Sequence, residues 1–230
     1  VTKRKDNGFF NLEKDQEALK VYLEEIHDKM ISFDDEIERL HYLVDNNFYF
    51  NVFEKYSEAE LSEITEYAKS IHFQFASYMS ASKFYKDYAL KTNDKTKFLE
   101  DYNQHVAIVA LYLANGNVKQ AKQFISAMVE QRYQPATPTF LNAGRARRGE
   151  LVSCFLLEID DSLNSINFID STAKQLSKIG GGVAINLSKL RARGEAIKGI
   201  KGVAKGVLPV AKALEGGFSY ADQLGQRPGA

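Results

Sequence analysis

Apolar residues in the first 134 positions recur every three or four residues, the period of a helix that buries one face. The first such face combines Leu19, Tyr22, Leu23, Ile26 and Met30. The same spacing predicts helices in FASYMSASKFYKDYAL, DYNQHVAIVALYLANG and VKQAKQFISAMVEQR, which begin at residues 75, 101 and 118. The first half of the chain is therefore predicted to be helical.

Capping signals predict where several of these helices begin and end. Ser32 with Asp35, and Ser57 with Glu60, have the three-residue spacing of a capping box, in which each side chain bonds the backbone N–H of the other residue. Asn115-Gly116 is typical of a helix end, because both residues tolerate a left-handed backbone. The sequence thus predicts helices that start after Ser32 and Ser57 and one that ends at Asn115.

The period of the apolar pattern changes after Pro135. LVSCFLLE (151–158) and GVAINL (182–187) are short apolar runs, and each predicts a buried strand. A helical period lies between them in SLNSINFIDSTAKQLSKI (162–179) and returns in VLPVAKALEGGFSYADQL (207–224). Strand, helix, strand, loop and helix in this order are typical of an α/β layer or barrel with parallel strands.

Two polar stretches of the second half predict loops. TPTFLNAG (137–144) is rich in turn residues, and its hydroxyl and backbone N–H groups suit a phosphate. KLRARGEAIKGIKG (189–202) is basic and interrupted by glycine, and it predicts a mobile loop. A nucleic-acid site would usually interleave aromatic residues with such charges, and the absence of aromatics argues against a nucleic-acid partner.

Charge is unevenly distributed, although the formal net charge is zero. Residues 1–134 carry 17 Lys and Arg against 22 Asp and Glu, whereas residues 135–230 carry 13 against 8. All four prolines lie in the second half, so we predict two domains with these bounds. A basic domain suits an anionic ligand such as a nucleotide, but charge alone favours simple compensation between two packed domains.

Several classes of protein are excluded by the pattern. No run of eighteen apolar residues occurs, so no membrane association is expected. The N-terminal stretch lacks the apolar segment of a secretory signal, and one cysteine cannot build a disulfide framework, so we predict a cytoplasmic location. The histidines share no metal-binding spacing, and we expect no metal site among His27, His41, His72 and His105.

The remaining candidates for chemistry are a glycine run and a single thiol. Gly180, Gly181 and Gly182 precede a strand, whereas a dinucleotide fingerprint follows one, so they either let the backbone approach a ligand or simply stop a helix. Ser153 and Cys154 are neighbours on a predicted strand, so their side chains should point to opposite faces, and one of them can meet a ligand. A lone core cysteine is usually inert.

Long stretches of the chain resemble the catalytic (alpha) subunit of class Ib aerobic ribonucleotide reductase. The resemblance is continuous through PATPTFLNAGRARRGELVSCFLLEIDDSLNSI, QLSKIGGGVAINLSKLRARGEAIKG and FSYADQLGQRPGA, and FQFASYMSASKFYKDYALKT is similar to the helical N-terminal region. It covers nearly the whole chain. It implies a mixed α/β fold, with an N-terminal helical domain at residues 1–134 and the first part of a ten-stranded α/β barrel at residues 135–230.

The resemblance also implies an activity, the reduction of ribonucleoside diphosphates to deoxyribonucleoside diphosphates for DNA synthesis. In this family a thiyl radical takes the 3′ hydrogen of the ribose, and a cysteine pair supplies two reducing equivalents and becomes a disulfide. Cys154 matches the first cysteine of that pair. Thr137, Ser153 and Gly182 match substrate-binding residues. The residues that match the binding site of a deoxynucleotide or ATP effector are Asp161, Ser162, Leu163, Arg191 and Lys198.

The family implies partners as well. A metal-containing beta subunit generates the radical, a glutaredoxin- or thioredoxin-like protein re-reduces the disulfide, and the alpha subunit forms a homodimer. This chain stops at Gly229-Ala230, inside the barrel as the family has it, without the second redox cysteine. We therefore expect that it acts with the remainder of the alpha subunit and that the isolated chain is inactive and poorly stable.

Two alternatives remain at this point. The chain could be a non-catalytic nucleotide-binding or regulatory fragment that retains only the effector loop, or a helical scaffold with no ligand. Replacement of Cys154 by Ser discriminates the first alternative from a reductase, since a binding module does not need the thiol. Failure to bind any nucleotide would favour the second.

Overall fold

The computed structural model describes residue 8 and residues 15–147 and 149–221. These residues form two compact units, and six α-helices belong to the first unit. This unit takes in the chain up to residue 135 together with residues 143–146, and the second unit takes in residues 136–142 and the chain from 147 onward. The division at residue 134 that charge and composition suggest remains our proposal. The helices of the first unit are α1 (Gln16–His27), α2 (Glu36–Asp45), α3 (Glu58–Ser70), α4 (Tyr78–Lys83), α5 (Tyr102–Ala114) and α6 (Val118–Val129).

The helix ends follow the capping signals in two of three cases. Ser57 and Glu60 form the predicted capping box at the start of α3, and α5 ends at Asn115, whose backbone is left-handed with φ of 46°. The predicted start at Ser32 is wrong. Asp35 caps α2 instead, because its carboxylate accepts the Glu38 N–H at 2.8 Å and its backbone is extended.

The helix predicted from residue 75 is shorter than expected and changes its winding. It consists of α4 followed by a π-helical turn at Phe84–Tyr88. Phe84 and Tyr85 are consecutive and both are buried, and their rings meet edge to face with centroids 5.0 Å apart. The wider turn accommodates two neighbouring aromatic side chains on the core side, which a regular α-helix separates by about 100°.

Helix α5 lies at the centre of the first unit. Nine of its residues are buried, from Tyr102 at its start to Ala114 at its end. Helices α3 and α6 pack against it and contribute the fully buried Leu61 and Ile125. A helix that is apolar on every side is typical of the middle of a core rather than of its surface.

A cluster of buried charges lies beside α5. The Glu100 carboxylate is fully buried and accepts hydrogen bonds from the Leu90 N–H at 2.7 Å, from His105 Nδ1 at 2.9 Å and from Arg145 Nη2 at 3.3 Å. Burial by itself raises the pKa of this carboxyl group, but the neighbouring imidazole and the guanidinium groups of Arg145 and Arg39 outweigh burial, and the pKa lies below its ordinary value. The cluster therefore holds an ionised carboxylate inside the first unit.

The second unit has the predicted order of helices and strands. Strands β1 (Cys154–Glu158) and β2 (Gly182–Asn186) are parallel and are joined through α8 (Leu163–Lys178). Helix α9 (Val207–Tyr220) follows β2, and the end of its predicted span, residues 222–224, lies outside the described residues. The expected mixed α/β class with parallel strands is confirmed.

Two expectations for the second unit are wrong. TPTFLNAG is not a loop, since Thr137–Asn142 forms a short helix, α7, whose second residue is a proline that the first turn of a helix accepts. The strands are not buried on both faces, because α8 covers only one face of the two-stranded sheet in the described part of the chain. Leu156 is accordingly 83% exposed.

None of the helices in the described ranges has both the length and the apolar character needed to cross a membrane.

Candidate functional site

The single cysteine stands at the start of a strand and is accessible. Cys154 is the first residue of β1, is exposed, and is paired in register with Gly182 at the start of β2. The Gly182 N–H donates to the Ser153 carbonyl at 2.8 Å, which closes this end of the sheet. The thiol is therefore not a packing group of the core, and it is open to a ligand at the edge where both strands begin.

The polar atoms of Ser153 and Cys154 lie close together at the start of β1. Exposure still alternates here, with Ser153 half-buried and Cys154 exposed, and the prediction of opposite faces stays a prediction. The Cys154 thiol is 3.5 Å from the Ser153 hydroxyl oxygen. The hydroxyl and the thiol can thus face one ligand together.

The glycine run connects α8 to β2 at a place without room for side chains. Gly180 has φ of +86°, a left-handed backbone that ends α8. A Cβ atom at Gly181 would lie 2.3 Å from the Phe155 ring, so the strands can pack only if this residue is glycine. The sequence left two interpretations open, a structural turn and a close approach to a ligand. The structural interpretation applies to Gly181, and a ligand contact at Gly182 remains a prediction.

Replacement of Gly181 by Ala is expected to lower the free energy of unfolding by about 1–3 kcal/mol, because Phe155 must move out of its position. The matched control is Gly216→Ala in α9, where nothing lies within 4 Å of an added Cβ and where Ala favours a helix by about 1 kcal/mol. Urea denaturation measures both changes. Equal effects of the two substitutions would contradict this account of the turn.

Helix α7 is fastened to the segment that leads into β1. The Thr139 hydroxyl donates to the Leu151 carbonyl at 2.8 Å, and the Asn142 amide donates to the Glu150 carbonyl at 2.9 Å. Thr137, the first residue of α7, is exposed. Ser153, Cys154 and Gly182 are therefore in direct contact or register, and Thr137 is connected to them through this short helix.

A second group of predicted residues lines a cavity of about 310 Å³ in the second unit. Asp161, Ser162 and Leu163 contribute from the start of α8, and Arg191 contributes from the loop after β2. Arg191 Nε donates to the Asp161 carboxylate at 2.7 Å, and its Nη1 donates to the Ala196 carbonyl at 2.7 Å. The cavity thus joins residues that lie 30 positions apart in the chain.

Two helix N-termini and charges of both signs meet at this cavity, whose lining is otherwise mostly apolar. Helices α8 and α9 both begin beside it, at Ser162 and Gly206, and helix N-termini present free N–H groups and a positive dipole end. Arg191 and Lys205 add two cationic side chains. The Asp161 carboxylate offsets part of this positive charge, since it accepts a hydrogen bond from Arg191.

One predicted residue does not line this cavity, and one residue that was not predicted lines it. Lys198 does not line the cavity; it occupies the turn between Ile197 and Ile200 with φ of 49°. Lys205 lines the cavity and was not among the predicted site residues. The sequence signal that could have identified Lys205 is its position immediately before Gly206, the residue that precedes α9.

No group of three or more His, Cys, Asp or Glu residues that could hold a metal ion occurs in the part of the chain that the structure describes.

Family models of ribonucleotide reductase match almost the whole chain. The ribonucleotide reductase N-terminal model matches residues 1–73, the all-alpha domain model matches residues 74–148, and the barrel domain model matches residues 152–230. The family models thus place the change to the barrel about 15 residues later than our sequence-based boundary, at the segment that leads into β1.

Curated relatives are ribonucleotide reductase subunits. The chain is 52% identical over 226 residues to the ribonucleoside-diphosphate reductase subunit alpha of Bacillus subtilis (strain 168), covering 97% of this chain and 32% of the relative. It is 46% identical over 218 residues to the corresponding subunit of Mycoplasma pneumoniae, covering 94% of this chain and 30% of the relative. The chain spans about a third of the length of these relatives.

A solved structure shares the fold. The class Id ribonucleotide reductase alpha subunit of Actinobacillus ureae superposes with a TM-score of 0.53 at 23% identity, over 63% of this chain and 26% of that chain. The expected order of a helical region followed by the start of the reductase barrel is confirmed by the family matches and by this likeness. With three consecutive family models and relatives of about 50% identity, the chain belongs to the large-subunit family of ribonucleotide reductases.

Proposed function

We propose that this chain forms the part of a class Ib ribonucleoside-diphosphate reductase alpha subunit that binds the substrate and presents one of its two reducing thiols. The observation that carries the proposal is the exposed Cys154 at the start of β1, beside Ser153 and in register with Gly182. A reducing thiol must be accessible to the ribose and to the protein that re-reduces it, and this thiol is accessible.

Cys154 acts as half of the redox pair in this proposal. The pair gives up two protons and two electrons as the 2′ hydroxyl leaves as water. One ribonucleoside diphosphate and two thiols thus yield one deoxyribonucleoside diphosphate, one disulfide and one water. The second cysteine and the radical-carrying cysteine belong to the remainder of the alpha subunit. A glutaredoxin- or thioredoxin-like protein then restores the thiols by disulfide exchange.

The phosphates of the substrate are assigned to the donors around this thiol. The hydroxyl groups of Thr137 and Ser153 are neutral donors, which suit a diphosphate at close range. The Gly182 N–H already donates to the Ser153 carbonyl, so Gly182 contributes a close approach of its backbone to the substrate. The beta subunit supplies the radical from its own metal site. We further propose that the assembly is cytoplasmic, where reductants of this type keep thiols reduced.

The cavity between the starts of α8 and α9 is assigned to a deoxynucleotide or ATP effector. Asp161, Ser162, Leu163 and Arg191 line it, and Lys198 lies on the same loop further from it. The loop that carries Arg191 begins directly after β2, whose first residue is a proposed substrate contact. An effector that orders this loop would change substrate binding through β2, which is a coupling between two sites. In this family the site lies at the interface of an alpha homodimer.

Replacement of Arg191 by Met is expected to weaken binding of a deoxynucleoside triphosphate by about 10- to 100-fold. The substitution removes a cation and a charge-assisted bond worth about 1.5–3 kcal/mol. Arg193→Met is the control, since Arg193 is exposed on the same loop and does not line the cavity. Isothermal titration calorimetry measures both, and an unchanged dissociation constant in Arg191→Met would remove this cavity as the effector site.

A reconstitution experiment tests the proposed function. The alpha subunit that carries this chain is combined with a beta subunit, a dithiol reductant and a radiolabelled ribonucleoside diphosphate. We expect labelled deoxyribonucleoside diphosphate only when both subunits are present. Absence of product with a radical-bearing beta subunit would contradict the proposal.

The second candidate is a non-catalytic nucleotide-binding or regulatory module. The specific observation in its favour is that the effector cavity is assembled entirely within the second unit. This candidate predicts that the chain binds a deoxynucleoside triphosphate and that Cys154→Ser has no consequence in any assay.

A further inference from the structure

The chain between α7 and β1 turns back into the first unit for four residues. This return segment, residues 143–146, is grouped with the first unit although the residues before and after it belong to the second. Two backbone hydrogen bonds hold it there. The Phe50 N–H donates to the Gly144 carbonyl at 2.9 Å, and the Ala146 N–H donates to the Phe48 carbonyl at 3.0 Å.

A buried ion pair fastens the return segment. Arg145 is only 6% exposed, and its Nη2 lies 3.3 Å from the Glu100 carboxylate and donates to the Tyr88 carbonyl at 2.5 Å. Its guanidinium stands over the Tyr49 ring, 5.9 Å from the centroid. Displacing the segment would leave the buried charge of Arg145 without its counterpart and would remove one of the cations that act on the Glu100 carboxylate.

The two arms that leave the return segment carry the proposed substrate residues. Thr137 lies on α7 before it, and Ser153 lies just ahead of β1 after it. The Thr139–Leu151 and Asn142–Glu150 bonds join the arms at their base. The arms are therefore joined to each other within the second unit, and Arg145 holds the return segment within the first unit.

We propose that the Glu100–Arg145 pair is a positioning device for substrate binding. The pair fixes the conformation of the loop whose arms carry Thr137 and Ser153, and it acts through that loop without contacting the substrate. This inference rests on the proposed function. Small displacements of binding groups are costly in enzymes, where about 1 Å can reduce rates a hundredfold.

A general electrostatic role of the buried charges is separable, because a second buried cation acts on Glu100 without bonding the return segment. Arg39 is 2% exposed, pairs with Glu36 and donates to the Leu99 carbonyl at 3.2 Å. No hydrogen bond or ion pair in the described residues joins Arg39 to the return segment. Arg39→Met therefore removes a buried cation from the same unit and leaves the anchor of the loop in place.

The experiment uses the complete alpha subunit with its beta subunit, and cytidine diphosphate as the substrate probe. Steady-state kinetics give KM and kcat for Arg145→Met, Arg145→Lys and Arg39→Met. Hydrogen exchange of the peptides covering residues 48–50 and 143–146 reports the anchor itself. Calorimetry of a deoxynucleoside triphosphate reports the effector cavity.

For Arg145→Met we expect KM to rise about tenfold with kcat changed less than about twofold, a split that indicates lost binding rather than lost chemistry. Hydrogen exchange in the two peptides should become faster, and the affinity for the effector should stay within about twofold of that of the unaltered protein. Arg145→Lys keeps the cation and should recover most of the KM. Arg39→Met should leave KM within about twofold even where it lowers stability.

Three outcomes would overturn the positioning role. The first is an unchanged KM in Arg145→Met despite faster exchange in both peptides. The second is an equal rise of KM in Arg39→Met. The third applies if Arg145→Met does not fold and Arg145→Lys must be used instead. It is faster hydrogen exchange of the two peptides in Arg145→Lys with an unaltered KM. Failure of the proposed function itself looks different, because the unaltered protein would then bind no cytidine diphosphate, and the positioning role would fall with it.

Discussion

Replacement of Cys154 by Ser is expected to lower the rate of deoxyribonucleoside diphosphate formation in the complete reductase by about three orders of magnitude or more. This is the scale of loss when a residue that forms covalent bonds during turnover is removed. A hydroxyl cannot form a disulfide and cannot supply the reducing equivalents. The substitution is nearly isosteric at an exposed position, so folding should be unaffected. The measurement is product formation from a radiolabelled ribonucleoside diphosphate.

The control for this prediction is effector affinity. The cavity lined by Asp161 and Arg191 does not include the thiol, so Cys154→Ser should bind a deoxynucleoside triphosphate as the unaltered protein does. Turnover above about a tenth of the unaltered rate would refute the assigned role of Cys154. It would favour the interpretation of the chain as a nucleotide-binding module.

Replacement of Glu100 by Gln is expected to lower the free energy of unfolding at pH 7 by about 3–5 kcal/mol, because the substitution leaves the buried guanidinium of Arg145 without its counter-charge. The effect should depend on pH. The pKa of Glu100 is lower in the folded state than its ordinary value of 4.5. The unfolded state therefore binds more protons below pH 4.5, and the stability that Glu100 contributes is lost as pH falls through the lowered pKa.

The difference in stability between Glu100→Gln and the unaltered protein should therefore narrow as pH falls from 5 to 3. Burial raises the pKa of Asp101, against the lowering effect of the Gln104 N–H, and the charge of Glu100 adds a smaller raising effect that Glu100→Gln removes. Urea denaturation at several pH values measures the difference, with Glu66→Gln, an exposed carboxylate on α3, as the control. A difference independent of pH would show that Glu100 does not act through its charge.

The apolar pattern predicted most of the fold because local signals and packing agree there. The Ser57–Glu60 box and the end at Asn115 were read directly from residue types. Prediction failed where two local signals competed, since Asp35 displaced Ser32 as the cap of α2. It also failed where a tertiary surface was needed, because the exposure of Leu156 depends on what covers the sheet and not on the sequence of β1.

The site could be anticipated only in part. Thr137, Ser153, Asp161 and Arg191 were identified by resemblance, and periodicity alone did not single them out. The Glu100–Arg145 pair escaped because its partners are 45 residues apart, and no local spacing marks two charges that meet only after folding. A role of Lys198 in effector binding stays a prediction, because Lys198 lies on the same basic loop as Arg191 but does not line the cavity.

The redox state of Cys154 after one turnover tests the central claim most directly. The complete reductase is given a ribonucleoside diphosphate and an effector without any external reductant, and its free thiols are then alkylated and identified by mass spectrometry. The account predicts that Cys154 becomes protected in a disulfide, with one disulfide formed for each deoxyribonucleoside diphosphate. If product forms while Cys154 remains fully alkylated, this thiol is not the reductant and the proposed role of the chain in catalysis is wrong.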